Sequence, residues 1–328
     1  MRSIRRIIGR LTGDGADAAR TDGGTVTSGE DRGFLARRFG EDFVESLPFW
    51  LPPFLLMGFF VYGAIGWNFL ISLTDYEGFV PADYSNLDFE MYARAFTDPA
   101  VIDAAKNTLV LMIAFTAVCL VLGLLLAILL DRSVRFENTL RTIYLLPMSL
   151  SFVVTAQFWL WMYNYDNGIV NRLTTAIGLG RYNWIGNPDL VLWAVVLALV
   201  WQFSGYTMVV YLAALRAIPD DHYEAARVDG ASTVRMYWRV VIPQLKGAMV
   251  SASVVLMVFA LKAFDFLYSL VANYRPPNGA DILATKMVRE AFSNQNWAYG
   301  SAIAILLFVM ALGVITPYLH YEYKRGQL

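Results

Sequence analysis

Lys262 and Asp265 stand three residues apart inside the run AMVSASVVLMVFALKAFDFLYSL, which is otherwise free of charge. Charges in an apolar span are costly unless they pair or face water. The spacing leaves two chemistries open: a mutual ion pair that holds a helix in place, or a polar face that lines a transport path. Helical spacing puts Phe259, Lys262 and Asp265 on roughly one side, an aromatic ring beside two charges. A second run supplies Trp201, Gln202, Ser204 and Tyr206. Gln202 is either a hydrogen-bond partner for a hydroxylated solute or a bond between helices. Other chemistries find few residues. His222 and His320 are the only histidines and lie far apart in sequence, so neither a two-histidine metal site nor a proton relay is expected. Ser204-Gly205 lacks the glycine two positions before the serine that a nucleophile elbow needs. No G-x-x-x-x-G-K-[ST] run occurs, so the chain is expected to carry no ATP site, and no catalytic or metal-binding residue is assigned.

These residues need helices to hold them. The 328-residue chain is 57% hydrophobic and 16% charged, against about 25% charged in a soluble domain. Crossing ~30 Å of hydrocarbon takes about 20 helical residues, and six runs qualify: 49–73, 107–130, 142–163, 189–213, 247–272 and 300–321. The second, LVLMIAFTAVCLVLGLLLAILL, contains no charge, whereas the third contains Pro147 and Gln157. The expected fold is all-α: a polytopic membrane domain of six transmembrane helices over 48–328, preceded by a cytoplasmic segment, 1–47. Residues 11–33 are dominated by Gly, Asp, Thr and Ser, which predicts disorder. Residues 34–47 suit a short helix on the membrane surface or an irregular linker. The lone Cys119 excludes a disulfide within the chain. The first apolar run starts near residue 49, too late for a signal peptide.

Lysine and arginine set the orientation. Eighteen lie before residue 49, in 131–141, in 214–246 and in the tail, while seven lie in the three opposite loops. Both termini and the loop 214–246 are therefore expected on the cytoplasmic side of the plasma (inner) membrane. Of the outer loops, 74–106 is acidic, 164–188 is rich in turn residues, and 280–297 has the amphipathic pattern of a surface helix. The aromatic run FWLWMYNY at 158–165 reads as an interfacial belt.

The cytoplasmic loop 214–246 is more than a turn. Pro219-Asp220-Asp221 is a helix start, with acids beside the positive end of the dipole. Glu224-Ala225-Ala226 are strong helix formers, Gly230 permits a bend, and Pro243 closes the segment. Ala225, Ala226 and Ala231 are expected to keep one surface small for a partner's groove. From the residues alone this is either a docking site or an ordinary amphipathic loop.

The pattern E-A-A-x-x-D-G-A from Glu224 to Ala231, with Pro243 nineteen positions after the Glu, resembles the signature loop of the membrane-spanning subunits of binding-protein-dependent ABC importers. Ser72-Leu73-Thr74-Asp75-Tyr76, Lys106-Asn107-Thr108, Leu146-Pro147, Gly168-Ile169-Val170-Asn171 and Tyr299-Gly300-Ser301-Ala302 resemble the sugar-importer branch, of the larger maltose-permease type without its extra outer domain. Two departures stand out: Ile242 where the family has Leu, and Tyr274-Arg275-Pro276-Pro277 where it often has Gly-Gly-Pro.

The resemblance implies a coupling helix that docks in a cleft on an ATP-binding subunit. Glu224 would make the charged contact, Gly230 the bend and Pro243 the end, with Ala225, Ala226, Asp229 and Ala231 completing the set. It also implies a non-catalytic subunit with no cofactor of its own, ATP and Mg being bound by two ATP-binding subunits. A second homologous permease would complete the path, and an external solute-binding protein would deliver a sugar or related polyol. Trp201, Gln202, Tyr206, Phe259, Lys262 and Asp265 are the expected path residues. The rival reading is an ion-coupled secondary transporter with Lys262 and Asp265 as its coupling pair, which leaves the loop unexplained.

Overall fold

The computed structural model describes residues 41–131, 136–271 and 275–324. The expected disorder over 11–33 and most of the expected surface helix over 34–47 lie outside the described residues. The chain divides into two units, Met1–Val61 and Tyr62–Leu328. The boundary falls inside the first helix, α1, which runs Glu41–Ser72. The second unit continues with α2 (Glu90–Thr97), α3 (Pro99–Asp131), α4 (Glu137–Leu145), α5 (Phe152–Met162) and α6 (Ile169–Ala176). It goes on through α7 (Pro188–Arg216), α8 (Asp220–Val228), α9 (Thr233–Gln244), α10 (Lys246–Leu261), α11 (Phe264–Val271), α12 (Leu283–Val288) and α13 (Trp297–Lys324). Among the described residues the only β pairing is an isolated bridge between Glu77 and Asn296.

Four helices are individually long and apolar enough to cross a membrane: Ser46–Ser72, Pro99–Asp131, Pro188–Arg216 and Trp297–Lys324. The expected third span, 142–163, is not one helix. Glu137–Ser149 and Phe152–Met162 meet at 101°. Pro147 has no N–H to give to the helix ladder, so the chain tightens into a 3-10 turn at Leu146–Ser149. Ser151 then starts α5 afresh, its hydroxyl accepting from the Val154 amide at 3.3 Å. The expected fifth span, 247–272, is broken as well: α10 ends at Leu261 and α11 begins at Phe264. Thr233–Gln244 and α10 also meet at a bend, of 66°. Counting each bent pair as one span gives six.

α7 is the centre of the bundle, with 67% of its most apolar window buried, against 33% for α3 and 11% for α13. It runs alongside α3, where the Thr207 hydroxyl donates to the Cys119 carbonyl at 2.9 Å. Gly205 marks its contact with the broken third span, since a Cβ there would lie 1.9 Å from the Tyr144 oxygen. α5 and α11, the two half-length pieces, pack on each other. Gln157 donates to the Ser269 carbonyl at 2.7 Å.

The expected surface helix at 280–297 is instead largely buried over 282–290, with Phe292 exposed beyond it. Lys286, Arg289 and Glu290 are 7%, 8% and 7% exposed. Lys286 pairs with Glu290 at 2.9 Å and with Asp98 at 3.4 Å. Arg289 pairs with Asp281, and the Tyr299 hydroxyl donates to Asp98 at 2.8 Å. The amphipathic pattern is genuine, but the polar side meets an internal charge network rather than water. Asn107 and Thr108 hold the same segment: Asn107 donates to the Asp281 carbonyl at 2.9 Å, and the Thr108 hydroxyl accepts from the Leu283 amide at 3.0 Å.

Candidate functional site

The loop after α7 is an ordered helical hairpin. Pro219 sits extended at the start of α8, Asp220 and Asp221 occupy its first turn, and Arg227 its last. Both signs suit the helix dipole. The exit is a Schellman motif: the Ala231 amide bonds the Ala226 carbonyl and the Gly230 amide bonds the Arg227 carbonyl, each at 3.0 Å. Gly230 has φ +71°, yet a Cβ there would meet nothing within 4 Å. The glycine is thus required by backbone conformation, not by crowding. Ser232 then caps α9, its hydroxyl accepting from Arg235 N at 3.4 Å. A π-turn at Tyr237–Val241 precedes Pro243, because the Ile242 amide reaches back to Tyr237 where the proline offers no donor of its own.

Glu224, Ala225, Asp229, Gly230 and Pro243 are exposed, as the docking reading requires. The three alanines do not share one surface. Ala225 is exposed, Ala226 is 7% exposed and packed against the chain itself, and Ala231 lies between. A helix turns 100° per residue, so Ala225 and Ala226 cannot point the same way. The residues that sequence reasoning missed are Val228, Val234 and Trp238, which are 87%, 68% and 69% exposed. Val228 ends α8, and Val234 and Trp238 stand four residues apart on α9, so three large apolar groups are left exposed on a charged hairpin. Their signal was present as apolar residues in a charged loop.

Behind the hairpin lies a cleft of about 650 Å³, bounded by Asp131, Arg216, Tyr223, Glu224 and Arg227 among others. Burial, then the nearby Asp131 carboxylate, push the Tyr223 hydroxyl above its ordinary range. Glu137 ties the base of the hairpin to α4, accepting from Arg216 at 2.6 Å and from Arg141 at 3.0 Å.

The expected path residues divide into packed and exposed groups. Gln202 is 2% exposed and donates to the Leu150 carbonyl at 2.9 Å, so it bridges α7 to the break before α5. Trp201 stacks on Phe158 with centroids 5.7 Å apart and meets Trp159 edge-on at 5.9 Å. Phe259 packs on Phe203 at 4.7 Å and Phe152 at 6.1 Å. Tyr206 is half-buried, whereas Lys262 and Asp265 are exposed. The helix expected to carry Phe259, Lys262 and Asp265 is interrupted at Lys262–Ala263, between α10 and α11. Among the described residues Lys262 and Asp265 form no ion pair with each other, so the mutual-pair reading fails. The aromatic run is mixed rather than a simple belt. Trp159 and Tyr163 are buried, with the Tyr163 hydroxyl donating to Ala194 O at 2.8 Å, while Trp161 is 74% exposed.

Comparison with known proteins agrees with this architecture. Residues 119–323 match the family model described as the binding-protein-dependent transport system inner membrane component. The chain is 64% identical over 287 residues to a xylose/arabinose import permease protein of Haloferax volcanii, covering 88% of this chain and 90% of that protein. It is 34% identical over 199 residues to a trehalose/maltose transport system permease protein of Thermococcus litoralis, covering 61% and 67%. Among solved structures, a bacterial alginate ABC transporter in complex with an alginate pentasaccharide-bound periplasmic protein shares the fold. The TM-score is 0.73, with 23% identity over 88% of this chain and 98% of that one.

Proposed function

From the premise that this chain belongs to the family of binding-protein-dependent transport system inner membrane components, we propose that it is the permease of an ATP-driven sugar importer. The observation that carries this reading is the exposed α8–α9 hairpin, held rigid by its Schellman bend and joined directly to the most buried helix, α7. In this reading Glu224, Val228, Val234 and Trp238 dock on an ATP-binding subunit. Two such subunits carry ATP and Mg, a second homologous permease completes the path, and an external binding protein delivers the solute. Both termini and the hairpin face the cytoplasm. The chain itself is non-catalytic and holds no cofactor.

Closure of the ATP-binding subunits then moves α8, and α7 moves with it because the two share one turn at Ala217–Pro219. A partner shifts a conformational equilibrium only by binding its states unequally, and the hairpin is where that difference is expressed. Lys262 and Asp265 are stable as exposed charges at span depth if they face a watery path. Lys262 caps the end of α10 and Asp265 lies in the first turn of α11, while Trp201, Gln202 and Phe259 belong to the packed bundle. The sugar named for the Haloferax relative makes xylose and arabinose the first solutes to try. The ion-coupled reading has no support, since its coupling pair sits unpaired on two sides of a helix break.

The test is copurification with the neighbouring gene products, followed by sugar-stimulated ATPase activity in lipid. Wild type should bring down an ATPase, and Glu224→Ala and Trp238→Ala should weaken its retention at least tenfold, a loss of ~1.4 kcal/mol or more. A chain that transports without ATP and ignores both substitutions would overturn the proposal.

A further inference from the structure

The connection between α5 and α7 is a preorganised cap at the end of the bundle opposite α8. Asn171 holds it together. This side chain is 2% exposed. Its amide donates to the Tyr165 and Tyr182 carbonyls at 3.1 and 3.0 Å. Its oxygen accepts from the Tyr182 amide at 3.1 Å and the Trp184 indole at 2.8 Å. The Thr174 hydroxyl adds a bond to the Gly180 carbonyl at 2.7 Å. Every hydrogen-bonding position of the buried amide is therefore used, and the frame is rigid.

The frame presents two features side by side. Ile169 and Leu173 on α6 and Ile177 at its C-cap, spaced by four, form an apolar stripe, and they are 52%, 62% and 73% exposed. Beside the stripe lies a cleft of about 300 Å³ lined by Asp166, Arg172, Thr175 and Arg181. Both arginines are exposed, and among the described residues neither forms an ion pair. Two arginines and one carboxylate leave the cleft with a net charge of +1.

Position decides what such a pairing fits. The cap joins the end of one span to the start of the next, so it lies at the membrane–water boundary. The cap itself contains Tyr165, Tyr182 and Trp184, residue types enriched at that depth. An apolar helix face beside cations at that boundary is the pattern of an interfacial helix. Guanidinium pairs match phosphate oxygens in geometry. A docked protein would account for the charges, but hydrocarbon to cover the stripe is already supplied by the bilayer. We propose that the α6 cap is a phospholipid site. Arg172 and Arg181 hold the phosphate of an anionic headgroup, Thr175 adds a hydroxyl donor, and an acyl chain lies along Leu173 and Ile177. The inference rests on the membrane fold and not on the solute carried.

Native mass spectrometry of the purified full-length chain, with whatever subunits accompany it, tests this with phosphatidylglycerol and phosphatidylcholine as probes. Wild type should retain phosphatidylglycerol preferentially. Arg172→Gln combined with Arg181→Gln should reduce that retention roughly tenfold, in line with the attraction of basic side chains to anionic lipid. Leu173→Ser with Ile177→Ser should reduce retention of both lipids. Millimolar inorganic phosphate should leave lipid retention unchanged. Displacement of the lipid by phosphate alone would mean a simple anion site and overturn the proposal. Equal retention by wild type and the double arginine variant would overturn it too. So would a double variant that keeps its lipid but loses stimulation by the binding protein, which would make the cap a protein-docking surface. All four substituted side chains are exposed, so thermal melting should match wild type.

Discussion

Two glycines show how differently one residue type can be constrained. Gly230 has open space around it and a φ of +71°. A side chain there meets no atom but carries the left-handed strain of ~1–2 kcal/mol. Gly230→Ala should therefore lower the melting temperature by a few degrees at most while loosening the bend between α8 and α9. ATP-driven uptake in vesicles should fall several-fold, and uptake equal to wild type would remove the bend from the coupling path. Gly205 is the reverse case. Its backbone is ordinary, but a Cβ would press to 1.9 Å from the Tyr144 oxygen. Gly205→Ala forces α7 away from the break in the third span, and overpacking of this kind costs ~1–3 kcal/mol. A lowered melting temperature of the purified chain checks it.

At the scale of elements, α12 is held by charge rather than by an apolar face alone. Burial pushes the Asp98 carboxyl up, but the Tyr299 hydroxyl, the Ala100 amide and Lys286 together outweigh it and hold the group below its ordinary range. A carboxylate depressed in the folded state contributes stability above its unfolded value of ~3.9, and that contribution is lost as pH falls through the lower folded value. Melting temperature should therefore decline below about pH 4. Asp98→Asn should flatten that acid decline and lower stability at neutral pH by leaving Lys286 with Glu290 alone. An unchanged acid slope in Asp98→Asn would show that other carboxylates govern it. The same element shows why periodicity misleads. Lys286 and Glu290 at four-residue spacing look the same on a solvated helix as on one whose polar side meets a buried partner. Only Asp98, far away in sequence, distinguishes the two.

For the whole molecule, the proposal requires the hairpin and the α6 cap to lie on opposite sides of the membrane. They stand at the two ends of α7, whose 29 residues span about 43 Å at 1.5 Å per residue. Cysteines placed at Trp238 and at Leu179 should react with an impermeant thiol reagent from opposite faces of oriented vesicles. The native Cys119 is 0% exposed and should stay silent. Labelling of both from one side would reject the topology. The helical class, the apolar runs and the helical hairpin after α7 were legible in the sequence alone, because hydropathy, proline and glycine placement and the Glu224–Ala231 pattern are properties of neighbouring residues. Tertiary structure decided the rest. Pro147 announced a weak point in the third span but not a 101° bend, and nothing local announced the break at Lys262–Ala263. Whether a helix bends depends on what replaces its lost hydrogen bonds. Gln202 supplies one such bond to Leu150, from a residue fifty-two positions away. The burial of α12 and the exposure of Trp238 follow the same rule: local chemistry sets what a side chain can do, and distant packing sets what it meets.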